Sequence, residues 1–503
     1  MNKPLRAVLV GLLPRDERAN CLGLGYLKAF ADARPDLTGG AEVDILDLPS
    51  DTQAEGLLTD ILRRRPRVVG FVLNLCNIPQ VRAAARLLRA RAPEVFLILG
   101  AQEASLRPEA LLEEIGADAV VLGEGEETFA ELLGALRRSS PLEEVRGLVL
   151  RRGKKFTTTA ARRPIQDLST VPSAYLSGIY PWKAASKTES VLETSRGCPY
   201  DCGFCAWPNG VKPRHFPLER VGAEIGAILR RIPTGLIHFS DPDLFLFPER
   251  ARVIIACIRE ADPQLRSRWW FNTYLGNMDD ELAALCDHPG FIIECGIQTV
   301  NPSALKAARR RFDAAKVRRG FSALRRLAPK ARVCLQLILG LPGDDLKGFL
   351  TSLDWCYGLG AELIHVFPMQ LLPGTDFHRR RSEYGVKADA LPPYLISSTA
   401  AFPAEDLRRA RRIVYALQLF LRHRVCWAAL EKTRGLGPLP LRAESLTRRL
   451  CALGVDMEAA FRRWDEAGSR YLTPLTIGSD PCSSSLIEAA AWEWARSTPA
   501  EVA

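Results

Sequence analysis

The chain has 503 residues, of which 47% are hydrophobic and 25% charged, so a disordered or fibrous protein is excluded and two or more globular domains are expected. The formal net charge is +10, which would suit an anionic partner such as nucleic acid, but no basic run is interleaved with aromatic residues. We therefore interpret the excess arginine as solvated surface. Thirteen scattered cysteines, an odd number, do not suggest a disulfide framework and favour a reducing cytoplasm. The apolar N-terminal stretch lacks a signal-peptide cleavage site, and no stretch is long enough to cross a bilayer.

Residues 1 to about 135 alternate short apolar strands with helical segments. The predicted strands are Ala7–Leu12, Glu42–Leu46, Val68–Leu73, Phe96–Gly100 and Ala119–Leu122. The predicted helices are Leu22–Ala31, Gln53–Arg64, Ile78–Arg91, Pro108–Ile115 and Glu126–Leu136. This alternation predicts a parallel, doubly wound sheet, whose ligand lies beyond the carboxyl ends of the strands. The loops expected there are Pro14–Leu22, Asn74–Pro79, Gly100–Ser105 and Gly123–Glu127.

Four segments of this region resemble, in order and spacing, a family of Rossmann-like cobalamin-binding domains. They are Leu22–Leu27, Val69–Phe71 with Asn77, Leu99–Ser105 and Val121–Thr128. The family's third segment usually reads Gly-Gly-Pro-Glu, where this chain has Gly100-Ala101-Gln102-Glu103. The resemblance implies cobalamin contacts from Asn77, Gly100, Gln102, Glu103, Gly123, Glu124 and Gly125. A nucleotide- or flavin-binding sheet, or a scaffold with an empty crevice, remains the alternative.

The positions of the histidines limit how the cobalt of such a cofactor could be held. The chain has six histidines, and none precedes His215. A D-x-H-x-x-G cobalt ligand therefore cannot exist in the N-terminal domain. The lower face must be occupied by water or by a side chain other than histidine, or stay empty. Arg18 stands roughly where the histidine would be.

Three cysteines follow an apolar strand in the spacing C-x3-C-x2-C: Cys198, Cys202 and Cys205. Three thiolates without an obvious fourth leave one iron of a cubane cluster open, and an open iron can bind a small molecule. The alternative is structural zinc, with His215 as the fourth ligand. Zinc sites usually carry two knuckles, whereas only one C-x2-C pair is present here, and a β/α pattern follows.

With Phe204 just before the third cysteine, this motif resembles the signature of the radical S-adenosylmethionine (SAM) enzymes, in which SAM chelates the open iron. The resemblance implies SAM contacts from Phe204, Asp241, Asn272, Gln298, Arg310 and Gly340. Arg310 would pair with the SAM carboxylate, because the guanidinium fork binds a carboxylate through two hydrogen bonds. Relatives usually carry glutamate where this chain has Asn272. The motif identifies no catalytic side chain beyond the cluster cysteines.

The region around and after the cysteines supplies six predicted strands, too few for a full eightfold barrel. They are Val191–Ser195, Gly235–Phe239, Trp269–Tyr274, Phe291–Ile297, Val333–Leu339 and Leu363–Met369. The C-terminal stretch reads as mostly helical, with Glu405–Arg424 the longest candidate. Tryptophans in such a region belong more often to a core than to a substrate site, so no role is assigned to Trp427, Trp464, Trp492 and Trp494.

The expected fold is α/β with three parts and a connection. Residues 1–140 form a doubly wound Rossmann-like cobalamin-binding domain, 141–188 a linker, 189–376 a partial (β/α)6 TIM-type radical SAM barrel, and 377–503 a mostly helical region that caps the barrel. The implied cofactors are a [4Fe-4S] cluster, SAM and cobalamin.

The resemblance implies an enzyme that methylates an unactivated carbon of a secondary metabolite or peptide, through a 5′-deoxyadenosyl radical and methylcobalamin. A rearrangement or cyclisation without methyl transfer is the alternative within the family. A zinc- or iron–sulfur-stabilised binding protein is the alternative outside it. The enzyme would need a low-potential electron donor of the flavodoxin or ferredoxin type, with no nucleic acid and no membrane span.

Overall fold

The computed structural model describes residues 3–13, 19–179, 189–207, 210–361, 363–422, 424–452, 456–459, 461–462, 491 and 494–495. The chain divides into two compact units. The first contains Met1–Pro199, Gly210–Asn272 and Glu281–Ile292, and the second contains Tyr200–Asn209, Thr273–Asp280 and Ile293–Ala503. Among the described residues, no helix is both long and apolar enough to span a membrane.

A seven-stranded sheet forms the N-terminal part of the first unit, in the order β2-β1-β3-β4-β5-β6-β7. Its strands are β1 (Leu5–Leu13), β2 (Ala41–Pro49), β3 (Val68–Val72), β4 (Phe96–Gly100), β5 (Ala119–Val121), β6 (Leu148–Arg152) and β7 (Lys155–Thr158). The first five run parallel, and β6 and β7 add an antiparallel hairpin. In the order 2-1-3-4-5 the winding reverses between β1 and β3, where doubly wound sheets bind ligands.

Helices cover both faces of this sheet. They are α1 (Leu22–Asp32), α2 (Ala54–Leu62), α3 (Ile78–Arg91), α4 (Gln102–Leu106), α5 (Pro108–Ile115) and α6 (Glu126–Arg138). On β1, Val8 and Val10 belong to the core under α2, α3 and α5, whereas Ala7 and Leu9 belong to the core under α1 and α6. A parallel strand buried on both faces reads as a continuous apolar run, which is why the N-terminus superficially resembles a signal peptide.

The rest of the first unit holds three parallel strands in the order β8-β11-β12 and the segment around the first cysteine. The strands are β8 (Glu189–Leu192), β9 (Ser195–Arg196), β10 (Arg214–His215), β11 (Leu236–Phe239) and β12 (Arg268–Thr273). The helices are α7 (Leu218–Arg231), α8 (Pro248–Ala261) and α9 (Asp280–Leu285). β9 and β10 pair antiparallel, with Arg196 opposite Arg214, so they bracket the start and end of the cysteine loop.

The second unit continues the β/α pattern and ends in helices. β13 (Phe291–Gln298) and β15 (Leu363–Pro368) lie on either side of β14 (Arg332–Leu339), and a short hairpin of β16 (Lys387–Ala388) and β17 (Ile396–Ser398) follows. The helices are α10 (Pro302–Ala307), α11 (Ala314–Leu327), α12 (Leu346–Leu359), α13 (Asp376–Arg379), α14 (Ala404–Arg422), α15 (Arg424–Lys432) and α16 (Leu439–Ala452).

The predicted fold class is confirmed: parallel α/β sheets are followed by a helical C-terminal part. All six strands expected in the second α/β region are present, within a few residues of the predicted bounds. Two details differ. The five-residue helix α4 was not predicted, and the stretch predicted as a linker contains β6 and β7, which extend the N-terminal sheet. Of the earlier interpretations, the start of the loop Pro14–Leu22 (with Arg18), Trp464 and Trp492 lie outside the described residues.

Candidate active site

The cysteine loop is held by its own backbone. The amide of Val211 donates to the carbonyl of Cys198 at 3.0 Å, and the amide of Cys205 donates to the carbonyl of Cys202 at 3.0 Å. Cys198 and Cys202 are buried and Cys205 is partly exposed. The amide of Trp207 approaches Sγ of Cys205 at 3.4 Å. Amide donors of this kind suit a thiolate that ligates iron, because hydrogen bonds to cluster sulfurs tune the potential.

Asp241 braces the strand end that leads into this loop. Its carboxylate accepts hydrogen bonds from the amide and hydroxyl of Thr194, at 2.9 and 2.7 Å, and from the hydroxyl of Ser195 at 2.5 Å. Burial raises the pKa of Asp241, and the bonds from Ser195 and Thr194 offset part of this rise. Asn272, on β12, donates to the carbonyl of Phe239 at 3.4 Å. The structure thus gives Asp241 and Asn272 partners inside the fold, and their contacts with SAM stay predictions.

In the second unit, Arg310 and Gln298 converge beside Cys202. Nη1 of Arg310 approaches Sγ of Cys202 at 3.5 Å, while its Nη2 donates to the carbonyl of Gly296. Oε1 of Gln298 and Nε of Arg310 are buried without a hydrogen-bond partner among the described residues. A buried polar atom without a partner costs free energy that a ligand can recover. This acceptor and this donor beside a cluster cysteine fit the ammonium and carboxylate of SAM.

Gly296 is required by this arrangement. A Cβ there would lie 2.5 Å from Nε2 of Gln298 and 3.3 Å from Nη2 of Arg310. Gln298 itself has a φ of +70°, in the left-handed region that non-glycine residues rarely adopt. Backbone strain of this kind persists where the surrounding structure enforces it, and it is concentrated at functional sites.

The two remaining predicted SAM contacts of the second unit lie on one apolar cluster. Phe204 packs against a core that includes Ile338 and Leu341. Gly340 has a φ of +92°, and a Cβ there would lie 2.7 Å from Cδ1 of Ile396. Glycine is therefore needed at position 340 for its conformation and for packing against the C-terminal part, independently of any contact with adenine.

Asp344 is a site-supporting residue that the sequence interpretation missed. It is fully buried and accepts from Nδ2 of Asn301 at 2.8 Å and from the hydroxyl of Thr299 at 3.2 Å. Burial raises its pKa to about 6, and the bond from Asn301 offsets part of that rise. Asp344 thus ties the segment after Gln298 to the segment after Gly340. The only local signal was an acidic residue following the Leu-Pro-Gly turn.

The crevice of the N-terminal sheet is open where two of its predicted glycines lie. A Cβ added to Gly100 or Gly123 would meet no heavy atom within 4 Å among the described residues, and Gly123 has a φ of +70°. A Cβ on Gly125 would lie 3.0 Å from Leu27. These loops leave the space that close approach of a flat macrocycle requires.

Other residues predicted to contact cobalamin are engaged with the protein. Asn77 is fully buried; its Nδ2 donates to the carbonyls of Val72 at 2.8 Å and Leu12 at 3.3 Å. It therefore joins the ends of β1 and β3 beneath the crevice. Glu103 is buried and pairs with Arg107 at 3.3 Å, whereas Gln102 is exposed at the start of α4. Direct contacts of these residues with cobalamin remain predictions.

Glu124 and Glu126 belong to the loop Gly123–Glu126 at the crevice, here called the crevice loop. They connect it to the β9–β10 pair beside Cys198. Arg214 donates to both carboxylate oxygens of Glu124, at 2.5 and 3.1 Å. Arg196 pairs with Glu126 at 2.7 Å, with Glu193 at 3.0 Å and with Glu124 at 3.6 Å. Burial would raise the pKa of Glu124, but the hydrogen bond from Arg214 and the charge of Arg196 lower it overall. Glu124 thus acts as a docking group.

Aromatic rings complete this connection. Tyr26 of α1 stacks on Phe216 with ring centroids 6.0 Å apart. The guanidinium carbon of Arg196 lies 5.2 Å from the Tyr26 centroid and 5.5 Å from that of Phe216, while Arg220 lies 4.3 Å from Phe216. Cation–π contacts gain strength when they are desolvated. We name the set Tyr26, Glu124, Glu126, Glu193, Arg196, Arg214, Phe216 and Arg220 the docking network.

Family comparisons agree with this geometry. Residues 20–133 match the B12 binding domain, and residues 192–356, which include the three cysteines, match the radical SAM superfamily. The chain is a radical SAM protein with a B12-binding domain. The predicted cofactors, a [4Fe-4S] cluster, SAM and cobalamin, are therefore confirmed at the level of these domains. The zinc alternative gains no support from these matches, because the three cysteines lie inside the radical SAM match.

Two curated methyltransferases and one solved structure are similar to this chain. The chain is 29% identical to the hopanoid C-3 methylase of Methylococcus capsulatus, over 67% of this chain and 65% of that protein. It is 24% identical to the cobalamin-dependent radical SAM methyltransferase TokK of Streptomyces tokunonensis, over 72% of this chain and 55% of TokK. The chain thus spans less than two thirds of either relative. The fold resembles the cobalamin-dependent SAM radical enzyme OxsB, with a TM-score of 0.66, 15% identity and coverage of 98% of this chain and 79% of OxsB.

Proposed function

We propose that this radical SAM protein is a cobalamin-dependent methyltransferase that methylates an unactivated carbon of a secondary metabolite or peptide. The observation that carries the proposal is the docking network, in which ion pairs join the crevice loop Gly123–Glu126 to β9 and β10, the strands before and after the cysteine loop. Methyl transfer needs both cofactors within one reaction space, and this connection meets that requirement. The methylase and methyltransferase names of the two relatives support the same conclusion.

Each side chain has a defined task in this proposal. When bound, the cluster and SAM supply a 5′-deoxyadenosyl radical, and cobalamin carries the methyl group. Cys198, Cys202 and Cys205 hold the cluster. Arg310 and Gln298 orient the amino acid part of SAM, for which their buried unpaired atoms are suited. No side chain is asked to transfer a proton in the radical step, so the protein's contribution is positioning and exclusion of water.

The remaining requirements follow from the chemistry. A low-potential electron donor of the flavodoxin or ferredoxin type would reduce the cluster. A reducing cytoplasm suits the twelve described cysteines, none of which forms a disulfide. The C-terminal helices would bind the substrate and cap the barrel.

The test needs no knowledge of the substrate. Protein reconstituted anaerobically with iron and sulfide is incubated with cobalamin, a low-potential reductant and SAM carrying a deuterated methyl group. Mass spectrometry then measures 5′-deoxyadenosine, S-adenosylhomocysteine and the deuterated methyl group on the corrin. The controls are Cys202→Ala, which removes a cluster ligand, and Cys257→Ala, which removes a cysteine outside the motif.

The outcomes separate the candidate functions. Formation of 5′-deoxyadenosine in the wild type and in Cys257→Ala but not in Cys202→Ala, together with label on the corrin, supports methyl transfer. Cleavage of SAM without any label on the corrin would favour rearrangement or cyclisation. If the protein incorporates no iron and sulfide at all, radical chemistry is refuted and a zinc site at the cysteine loop is favoured instead.

A further inference from the structure

A second group of potential metal ligands lies on the three strands of the second unit. Glu294 is on β13, Cys334 on β14 and His365 on β15, and their ligand atoms all lie within 4.8 Å of one another. Glu294 and Cys334 are buried, and the side chain of His365 is 15% exposed. Among the described residues, this is the one group of three such side chains that close together.

This group is separate from the SAM contacts. Side chains alternate along a strand, so Glu294 and Gln298, four residues apart on β13, face the same side. Four residues of strand place them roughly 13 Å apart along its axis. The group therefore lies well below the end of the strand, where Gln298 and Arg310 converge.

Two distances within the group are close to the edges of a tetrahedral metal site, and the third, between the sulfur and the imidazole, is at most 4.8 Å. Nδ1 of His365 lies 3.1 Å from Oε1 of Glu294, and Sγ of Cys334 lies 3.6 Å from the same oxygen. Zinc bonds of about 2.0–2.2 Å to nitrogen and oxygen and about 2.3 Å to sulfur give tetrahedral edges of roughly 3.3–3.6 Å. Thiolate, imidazole and carboxylate together are the donor set that zinc takes in proteins.

We propose that Glu294, Cys334 and His365 bind one zinc ion, with a fourth position left for water or a small ligand. Three protein ligands and one open position are the arrangement of reactive zinc sites, whereas structural sites are closed by four. The ion would join three neighbouring strands beneath the SAM site. The competing interpretation is a hydrogen-bonded triad, in which the thiol of Cys334 and the ring of His365 donate to Glu294.

The chemistry of the thiol distinguishes the two. Burial raises the pKa of Cys334, and the neighbouring carboxylate of Glu294 raises it further. Without a cation, Sγ of Cys334 donates the proton of its thiol to a hydrogen bond with Oε1 of Glu294 at 3.6 Å. A divalent ion takes the place of that proton and neutralises the buried carboxylate, so zinc uptake by the group releases a proton.

The experiment uses the full-length chain without cobalamin, in which Cys198, Cys202 and Cys205 are all replaced by alanine so that the motif binds no metal. The protein is dialysed against Zn²⁺ and then against a weak chelator, and elemental analysis measures the zinc that remains. We expect one zinc per chain. His365→Gln and Cys334→Ser should each lower zinc affinity at least about tenfold, because each removes a ligand. The matched control is Cys356→Ser, which alters a buried cysteine on α12 outside the group.

Circular dichroism verifies that each variant is folded. Because the side chain of His365 is partly exposed, His365→Gln should disturb packing less than Cys334→Ser. If Cys334→Ser unfolds, the zinc content of His365→Gln is the measurement that tests the proposal. The proposal is overturned if the folded background protein retains no zinc, which leaves the hydrogen-bonded triad. It is equally overturned if folded His365→Gln retains as much zinc as the Cys356→Ser control.

Discussion

Arg196 should be the most sensitive residue of the docking network. Its side chain is only 9% exposed and faces three carboxylates, those of Glu126, Glu193 and Glu124. Replacing it with methionine keeps much of the volume but leaves these carboxylates without their shared cation. Removing one partner of a buried ion pair costs about 3–5 kcal/mol. We therefore expect Arg196→Met to lower the free energy of unfolding by this amount.

The functional loss should exceed what instability alone explains. A displacement of about 1 Å between reacting groups can reduce a rate on the order of 100-fold. Arg196→Met should therefore retain its cluster and corrin, but transfer the methyl group of SAM to the corrin far more slowly relative to cleavage into 5′-deoxyadenosine. The assay compares these two products by mass spectrometry, and chemical denaturation measures stability.

Two further variants isolate the cause. Arg6→Met breaks an exposed ion pair with Glu42 on the same unit and should cost only about 0–1 kcal/mol. The double variant Arg196→Met with Glu126→Leu removes both charges and should recover part of the lost stability, as buried pairs replaced by apolar side chains often do. A loss below about 1 kcal/mol in Arg196→Met, or an unchanged product ratio, would refute the reasoning.

Three further predictions concern single residues. Burial raises the pKa of Glu193 to about 7, whereas in the unfolded chain this carboxyl loses its proton near pH 4.3. The free energy of unfolding should therefore fall as the pH rises from about 4.5 to 7. Melting temperatures measured across this pH range should fall less in Glu193→Gln than in the wild type. Asp344→Ala removes the hydrogen-bond acceptor of Thr299 and Asn301, so SAM binding measured by equilibrium dialysis should weaken about tenfold while the iron content stays unchanged. An unchanged affinity for SAM would show that Asp344 does not hold the segment after Gln298 in place. Arg310→Lys keeps the charge but loses the fork, so the KM for SAM should rise about tenfold or more; an unchanged KM would remove Arg310 from the SAM site.

The strands could be predicted from the sequence because a buried strand shows itself as a short run of apolar residues between turn residues. β14 and β15 are apolar runs bounded by turn residues, and their observed ends lie within one residue of the predicted ones. Helix α4 was not predicted because five residues are too few to show a helical period. It also follows Ala101, whose φ of +74° is not indicated by the sequence. β6 and β7 lie in the stretch predicted as a linker, because β6 has an apolar run of only three residues, Leu148–Leu150, and β7 is mostly polar and exposed; β6 pairs with β5, and β7 pairs with β6.

The site was less predictable, since its partners are distant in the sequence. Glu124 was assigned to cobalamin from its motif position, but its carboxylate is bound by Arg214, 90 residues later. Asn77 was assigned likewise, yet one of its bonds reaches back 65 residues to Leu12. No pattern in the neighbouring sequence indicates hydrogen bonds between residues so far apart. The motif cysteines were predictable because their spacing alone carries the chemistry.

The docking network also limits how the protein can be recombined. Arg196 is separated from Cys198 by a single residue, and its partner Glu126 lies at the start of α6. A chimera that exchanges the N-terminal sheet for that of a relative would leave charges on one side without their counterparts on the other. The natural unit of exchange is thus the sheet together with the strand and helix around the first cysteine, residues 189–231. Donor sequences for such grafts can be chosen by whether they carry both halves of this ion-pair set.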